Sequence, residues 1–252
     1  MIDTHCHLFD EEFDIDREDA IKRAIDSGVE KMILVGFSHK TNEIAQEMAK
    51  KWNVFYPSAG LHPSEATKDY LKDFDQFKTF AEKNKIYAIG ECGLDYHWDI
   101  TYKEEQKMLF RLQCEYAIER DLPIIVHSRD AAKDTFDIIA SYKGKLKGVM
   151  HCYSGSKEMA MEYVKLGFYI SLGGPVTFKN AKEPKEVAIS VPLDRLLIET
   201  DCPYLAPTPM RGKRNESSYV RYVRDEIARL KGIEIDEVER VTTNNAIKLF
   251  GI

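Results

Sequence analysis

Met1-Ile2-Asp3-Thr4-His5-Cys6-His7 opens the chain as a short apolar start that runs directly into a His-x-His pair. In an extended strand, successive side chains alternate between the two faces, so His5 and His7 point the same way. Two imidazoles that converge on one point make a good beginning for a metal site. A lone His-x-His is weak evidence. Its weight here comes from four later segments that also place a ligand-type residue just past an apolar run.

Short apolar segments alternate with amphipathic ones along the whole sequence, and eight of them have the length and composition of strands. They are Ile2-Thr4, Lys31-Gly36, Val54-Gly60, Tyr87-Glu91, Pro123-His127, Gly148-His151, Phe168-Gly173 and Leu196-Asp201. Eight strand-helix units without a break in composition predict one domain over residues 1–252, closed as a (β/α)8 TIM barrel. An open, doubly wound sheet is the alternative. It is disfavoured because the first strand is followed by a His pair rather than by a Gly-rich phosphate turn.

Helical periodicity fills the intervals between these segments. Ala20, Ile21, Ala24 and Ile25 form one apolar stripe, preceded by Asp16 as a plausible N-cap. The tail from Ile235 to Phe250 is typical of one or two further short helices. The stretch from Cys202 to Asn215 contains Pro and Gly and predicts a long loop after the last strand.

Bulk properties exclude several classes of protein. The five cysteines form no CxxC pair, which argues against a disulfide framework and favours a reducing, cytoplasmic compartment. The N-terminus does not have the pattern of a signal peptide, and no apolar run approaches the length of a membrane span. The net charge of -6 argues against a broad basic face for duplex nucleic acid, but it is compatible with local contacts to a few phosphates.

Residues with ligand chemistry lie at or just beyond the ends of most predicted strands. They are His5, His7, His62, Glu91, His127, His151 and Asp201. Any one of them, taken alone, is at least as well explained as a hydrogen-bonded or capping residue. Taken together they predict a metal site, because the six groups other than His62, at one barrel mouth, would repel each other or stay unsatisfied without a cation.

Four imidazoles and two carboxylates exceed the needs of one tetrahedral ion and suit two ions that share a bridging carboxylate. Glu91 is the expected bridge. Our hypothesis places His5, His7 and Asp201 with Glu91 on one ion, and His127 and His151 with Glu91 on the other. A water between the ions would lose a proton near neutral pH and become the nucleophile, with Asp201 orienting it or accepting that proton.

The ligand-bearing segments resemble the TatD family of metal-dependent deoxyribonucleases, which belongs to a wider superfamily of TIM-barrel hydrolases. The segments are His5-Cys6-His7, Gly60-Leu61-His62-Pro63, Gly90-Glu91-Cys92-Gly93-Leu94-Asp95, His127-Ser128-Arg129, His151-Cys152-Tyr153-Ser154-Gly155 and Glu199-Thr200-Asp201-Cys202-Pro203-Tyr204-Leu205. They cover nearly the whole chain in the expected order. The resemblance implies that His5, His7, Glu91, His127, His151 and Asp201 are the metal ligands. It also implies a 3′–5′ exonuclease that acts on single-stranded DNA.

The same resemblance implies phosphate contacts for His62, Arg129 and Tyr153. A surface salt bridge with Asp130 or Asp134 is an equally good interpretation of Arg129 from the sequence alone. The basic loop residues Arg211, Lys213 and Arg214 are predicted to hold a nucleic-acid backbone, with an ordinary solvated loop as the alternative. His97-Trp98 follows Glu91 closely enough to lie at the rim of the pocket, and its role stays open.

A divalent-metal phosphodiesterase is therefore the leading functional prediction, with single-stranded DNA as the substrate and no membrane or obligate protein partner. The alternative is a metal-dependent hydrolase of an ester, amide or lactone, including an aminoacyl ester, because the same metals polarise a carbonyl. A metal-binding barrel without turnover ranks last, since all six ligand positions are filled. Imidazole-rich ligation favours Zn, Mn, Fe or Ni over Mg, whereas assays of the family commonly supply Mg, so the metal's identity stays open.

Overall fold

The computed structural model describes all residues from 1 to 252 and contains eight strands. They are β1 (Ile2–Cys6), β2 (Lys31–Val35), β3 (Phe55–Ser58), β4 (Ile89–Asp95), β5 (Ile124–Arg129), β6 (Gly148–Met150), β7 (Tyr169–Leu172) and β8 (Leu196–Ile198). All pairings are parallel and run in chain order, as β1-β2-β3 and as β4-β5-β6-β7-β8. The order and the parallel sense agree with the (β/α)8 barrel that the sequence predicts.

Single parallel bridges connect the two groups of strands at both of their edges. Ala59 pairs with Ile89 between β3 and β4, and Cys6 pairs with Cys202 just past β8. Around the second bridge, the Asp201 amide donates to the His5 carbonyl and the His7 amide donates to the Cys202 carbonyl, both at 2.9 Å. The first strand and the segment after the last strand are therefore side by side.

Nine α-helices connect or follow the strands. They are α1 (Arg17–Asp26), α2 (His39–Lys51), α3 (Tyr70–Lys83), α4 (Lys103–Glu119), α5 (Ala132–Ser141), α6 (Lys157–Lys165), α7 (Lys182–Ser190), α8 (Val220–Lys231) and α9 (Ile235–Phe250). The tail is one helix of 16 residues, where one or two short helices were predicted. No helix of the structure is both long and apolar enough to cross a membrane.

Two apolar clusters build the core. The larger one fills the space between strands and surrounding helices. The smaller one contains residues from six strands, such as Ile2, Ile125 and Leu197, with Ala88 just before β4, together with Leu249 and Phe250 of α9. This second cluster lies inside the ring of strands, and α9 packs against it. The strands are thus apolar on both faces, which explains their nearly continuous apolar sequences.

Several strand ends differ from the prediction. β4 begins later than predicted and continues to Asp95, and β5 continues to Arg129. Glu91 and His127 therefore lie within their strands rather than at the ends. The difference arises because β4 and β5 pair as far as Asp95 and Arg129, through a polar stretch that lacks the apolar character of a strand.

Candidate metal centre

Three of the predicted ligands converge where β1 meets the segment after β8. The Nε2 atoms of His5 and His7 lie 3.1 Å apart. The Oδ1 atom of Asp201 is 3.7 Å from the first nitrogen and 3.5 Å from the second. These three donor atoms form one compact group of metal-ligand type.

A second group forms around Glu91 on β4. Its Oε1 atom lies 3.0 Å from Nδ1 of His127 and 2.9 Å from Nε2 of His151. Its other oxygen, Oε2, faces the first group, at 3.4 Å from His5 and 3.9 Å from His7. Glu91 is thus the one carboxylate that lies between the two groups, with one oxygen directed to each, as expected for a bridge.

Irregular pairing in β1 and β4 brings these side chains inward. Ile2 and His5 both face the interior although they are three residues apart, which strict alternation forbids. The pairing of β1 with β2 changes register between Asp3 and Cys6. β4 does the same between Ile89 and Cys92, on either side of Glu91. Such bulges redirect side chains next to functional sites.

The imidazoles are held from behind by acceptors that sequence reasoning did not single out. Nδ1 of His7 donates to the Val35 carbonyl at 2.8 Å, and Nε2 of His127 donates to Asp95 Oδ2 at 2.9 Å. Nδ1 of His151 lies 3.5 Å from Glu199 Oε1, an ion-pair contact in which no hydrogen bond is formed. An acceptor behind the ring fixes the tautomer and leaves the other nitrogen unprotonated towards a metal.

Two of these acceptors, Asp95 and Glu199, could have been found from the sequence by the alternation of side chains along a strand. Asp95 lies four positions after Glu91 on β4, and Glu199 lies two before Asp201, so both face the same side as a ligand. A third residue that the sequence reasoning missed, Asp3, is buried and binds Thr200. Its Oδ1 accepts from the Thr200 amide at 2.9 Å and its Oδ2 accepts from the Thr200 hydroxyl at 2.6 Å. Asp3 thereby anchors the residue that precedes Asp201, and burial raises its pKa to about 7.

The two carboxylates at the centre stay ionised. Burial by itself would raise the pKa of Glu91, but His151, His127 and His5 hold it well below its ordinary value. The same balance acts on Asp201, whose pKa is lowered by the neighbouring imidazoles of His7, His5 and His151 against the effect of burial. Burial lowers the pKa of His5, whose Nδ1 has no hydrogen-bond partner.

The donor set fits divalent metal ions. Nε2 of His7 carries a lone pair, because its Nδ1 is the donor to Val35, and it faces Nε2 of His5 and Asp201. Two ionised carboxylates and four imidazoles are concentrated in a site whose side chains are mostly buried. A cation is the group that would satisfy these donors at once. We expect His5, His7 and Asp201 to hold one ion and His127 and His151 the other, with Glu91 shared.

His62 lies beside the second group. Its Nε2 is 3.8 Å from Glu91 Oε1, and its ring centroid is 4.5 Å from that of His127. Nδ1 accepts from the Ser64 amide at 3.1 Å, so Nε2 carries the proton in the neutral ring. Burial lowers the pKa of His62 to about 4, which makes the ring a neutral donor at pH 7.

Arg129, the last residue of β5, is exposed, and its guanidinium lies 5.3 Å from the centre of the Trp98 ring. It forms no ion pair with Asp130 or Asp134, since Asp130 binds His97 and Asp134 binds Lys107. Tyr153 is buried, and its hydroxyl donates to the Ser156 carbonyl at 2.9 Å. The Tyr153 hydroxyl is therefore engaged within its own loop.

The basic loop after β8 does not act as one unit. Arg214 differs from the prediction, because its guanidinium is already paired with both carboxylate oxygens of Asp16, at 2.6 and 2.9 Å. It also donates to the Glu12 carbonyl. Arg211 lies 3.8 Å from the centre of the Phe178 ring, and both Arg211 and Lys213 are exposed. Only these two loop residues remain free for an external phosphate.

The fold and the site together define an α/β barrel protein with a cluster of histidines and carboxylates in the mouth of the barrel. The family model described as TatD related DNase matches residues 2–251. The chain belongs to this family, as the sequence motifs predicted.

Individual relatives agree with this membership. The chain is 48% identical to the Bacillus subtilis (strain 168) protein named "Uncharacterized metal-dependent hydrolase YabD", over 100% of this chain and 99% of the relative. It is 31% identical to the Shigella flexneri protein named "3'-5' ssDNA/RNA exonuclease TatD", over 100% and 99%. The crystal structure of YjjV, a TatD homolog from Escherichia coli K12, superposes with a TM-score of 0.90 at 29% identity and covers 100% of this chain and 98% of that chain.

Proposed function

We propose that this protein hydrolyses phosphodiester bonds with two divalent metal ions and acts as a 3′–5′ exonuclease on single-stranded DNA. The observation that carries the proposal is the position of Glu91, whose two oxygens face two separate groups of donors. Two neighbouring ions suit the in-line displacement of phosphodiester chemistry, in which both the attacking and the leaving oxygen carry charge. The name of the Shigella relative, a 3'-5' ssDNA/RNA exonuclease, supports the same substrate class.

The residues around the centre favour a phosphate over a carbonyl substrate. His62 presents an N–H donor beside Glu91, and Arg129 presents an unpaired guanidinium at the adjacent strand end. A guanidinium matches phosphate oxygens in geometry and charge. Arg211 and Lys213 add positive charge on an exposed loop. In a chain of net charge -6, this local supply of donors suits a single strand held at a few phosphates.

When bound, the ions would acidify a nucleophilic water and neutralise charge on the phosphate. The chain's own residues have defined tasks around that chemistry. Asp201 is ionised and available as the acceptor of the proton that the attacking water loses. His62 Nε2–H and Arg129 would orient the phosphate oxygens. Asp95 and Glu199 keep His127 and His151 in the required orientation.

The direct test measures cleavage of end-labelled single-stranded DNA, duplex DNA and RNA oligonucleotides across a series of Zn, Mn, Mg, Fe and Ni. We expect stepwise shortening from the 3′ end of single-stranded DNA, at a rate that falls with added salt because phosphates steer binding. The Asp201→Asn protein is the control for contaminating nucleases. An inert oligonucleotide, together with hydrolysis of an ester or lactone, would overturn the proposal in favour of carbonyl chemistry.

A further inference from the structure

A pocket of about 230 Å³ opens directly beside the metal centre. His62 and Asp95 form the wall that it shares with the centre, and Pro63, Ala66, Trp98 and Tyr102 form much of the rest. Its volume is below the roughly 300–1,000 Å³ of pockets that enclose a whole drug-sized ligand. The pocket therefore suits one flat ring system rather than a complete nucleotide.

The shared wall places the pocket next to the reacting atoms. His62 Nε2 lies 3.8 Å from Glu91 Oε1, and Asp95 Oδ2 lies 2.9 Å from His127 Nε2. Whatever group flanks the bond at the centre is therefore within reach of this pocket. In a polynucleotide, the groups that flank the scissile phosphate are the two neighbouring nucleosides.

Trp98 is the most exposed large side chain of the pocket, at 76% of its full accessibility. Two neighbouring side chains nevertheless hold the Trp98 ring in place. The Arg129 guanidinium lies 5.3 Å from the ring centre, and the His97 ring contacts the indole edge-on at a centroid distance of 4.8 Å. His97 is itself fixed by Asp130, at 2.9 Å. An exposed, oriented indole beside a guanidinium is the combination that stacks bases in single-strand binding proteins.

The charge of the pocket decides which part of a nucleotide it accepts. Its lining contains the carboxylates Asp95 and Asp99 but no lysine or arginine, and most of its exposed surface is apolar. Two carboxylates would repel a phosphate. An uncharged ring with polar edges meets no such repulsion, and it covers the apolar surface.

We propose that this pocket binds the nucleobase next to the scissile phosphate. Trp98 stacks on the base, and Arg129, beside Trp98, holds the phosphate. The inference rests on the proposed nuclease function and extends it. It makes Trp98 a positioning residue that determines how a polynucleotide is seated, while the metal centre performs the hydrolysis.

Matched oligonucleotides test the proposal kinetically. Each carries either a normal nucleotide or an abasic residue at the terminal or the penultimate 3′ position. In the native protein, removal of the correct base should lower kcat/KM by about 10-fold or more, the effect of losing one base–aromatic stack. The Trp98→Ala protein should have a kcat/KM on the normal substrate that is lower by a similar factor. Its kcat/KM should be nearly the same on the normal and the abasic substrate. Trp98→Phe should recover part of the preference for the normal over the abasic substrate.

The other tryptophan provides the control. Trp52→Phe should keep the full preference for the normal substrate.

Fluorescence separates this proposal from the nuclease function. The chain has two tryptophans, so Trp52→Phe leaves Trp98 as the only indole. Titration with a short single-stranded oligonucleotide should quench its emission, whereas an all-abasic backbone of equal length should not. Quenching that requires bases would support the pocket even in a protein that fails to cleave the strand. Cleavage with equal kcat/KM on normal and abasic substrates, and no base-dependent quenching, would overturn the pocket and leave the nuclease function intact.

Discussion

At the residue scale, Glu91 is the side chain on which both halves of the centre depend. Glu91→Gln keeps its shape and removes the charge that faces all four ligand histidines. We expect turnover to fall by more than about 100-fold. That is more than the loss usually caused by replacing a residue that only hydrogen-bonds to a metal ligand. Elemental analysis of the purified protein should show fewer bound ions than in the native protein. Unchanged metal content would contradict the bridging role.

Asp95 and Glu199 test the support behind the imidazoles. Asp95→Asn and Glu199→Gln each weaken the acceptor behind one ligand histidine. We expect metal affinity or activity to fall by about 10–100-fold for each variant, the range of such outer contacts. Isothermal titration with Zn and Mn measures the affinity. Asp75→Asn and Glu82→Gln, two exposed positions on α3, are matched controls that should bind metal normally. Equal affinity in the variants and the controls would refute the role.

The grouping of the predicted ligand residues could be anticipated from the sequence, whereas their hydrogen-bond partners could not. His5, Glu91 and Asp201 belong to short segments whose chemistry is local and therefore visible in the chain. Asp95 meets His127 only because β4 pairs with β5 in one particular register. Arg214 was instead predicted to be free because its neighbours in the sequence are basic. In the structure its guanidinium is paired with the carboxylate of Asp16, about 200 positions away in the chain.

At the element scale, β4 depends on a glycine at the point where it passes β5. Gly93 has a φ of +142°, and a Cβ there would lie 2.0 Å from the His127 carbonyl oxygen. Gly93→Ala should therefore push the two strands apart next to Glu91. We expect the free energy of unfolding to fall by about 3 kcal/mol or more, the range of severe steric substitutions. Urea unfolding measures the change.

Gly144→Ala is the control for this substitution. Gly144 also has a positive φ, +76°, but a Cβ there meets nothing within 4 Å. The control thus carries backbone strain without a steric clash, and it should cost only about 1 kcal/mol. Equal losses in the two variants would mean that the close approach of the strands does not constrain this position.

Strand and helix types followed from periodicity, but the irregular pairing within the strands did not. Apolar runs such as Ile124 to Val126 are typical of buried parallel strands. The bulges in β1 and β4 have no equivalent pattern, because they arise from the register between strands. Gly90 and Gly93 around Glu91 were the only local hint, since glycine within a strand often accompanies a bulge.

At the scale of the whole molecule, the loop after β8 is fastened to α1 by a cluster of charges. Asp16, just before α1, accepts hydrogen bonds from Arg214 and from Arg23. Arg23 also binds Glu216, which is only 5% exposed, at 3.0 and 3.1 Å through Nε. The loop carries Asp201 at its start, so this cluster connects the N-terminal helix to the position of a ligand. It occupies Arg214 structurally, so Arg211 and Lys213 are the exposed cations of this loop that could contact an external phosphate.

Acid titration tests this cluster. Hydrogen bonds from Arg214 and Arg23 hold the pKa of Asp16 well below its ordinary 3.8. The carboxylate therefore stabilises the folded chain fully above pH ~4, and that stability is lost as the pH falls below this value, where the unfolded chain binds a proton first. Asp16→Asn should lower Tm near pH 7 by about 2–4 °C, as expected for ~1 kcal/mol in a chain of this size. The difference in Tm between native and variant should stay constant from pH 7 to about pH 4 and narrow between about pH 4 and pH 3. Asp19→Asn removes an exposed carboxylate of α1 whose one ion pair, with the exposed Lys22 at 3.7 Å, lies at the surface, so it should change Tm far less at both pH values. A gap that stays constant from pH 7 to pH 3, or a control that matches the variant, would contradict the role of Asp16 in fastening the loop.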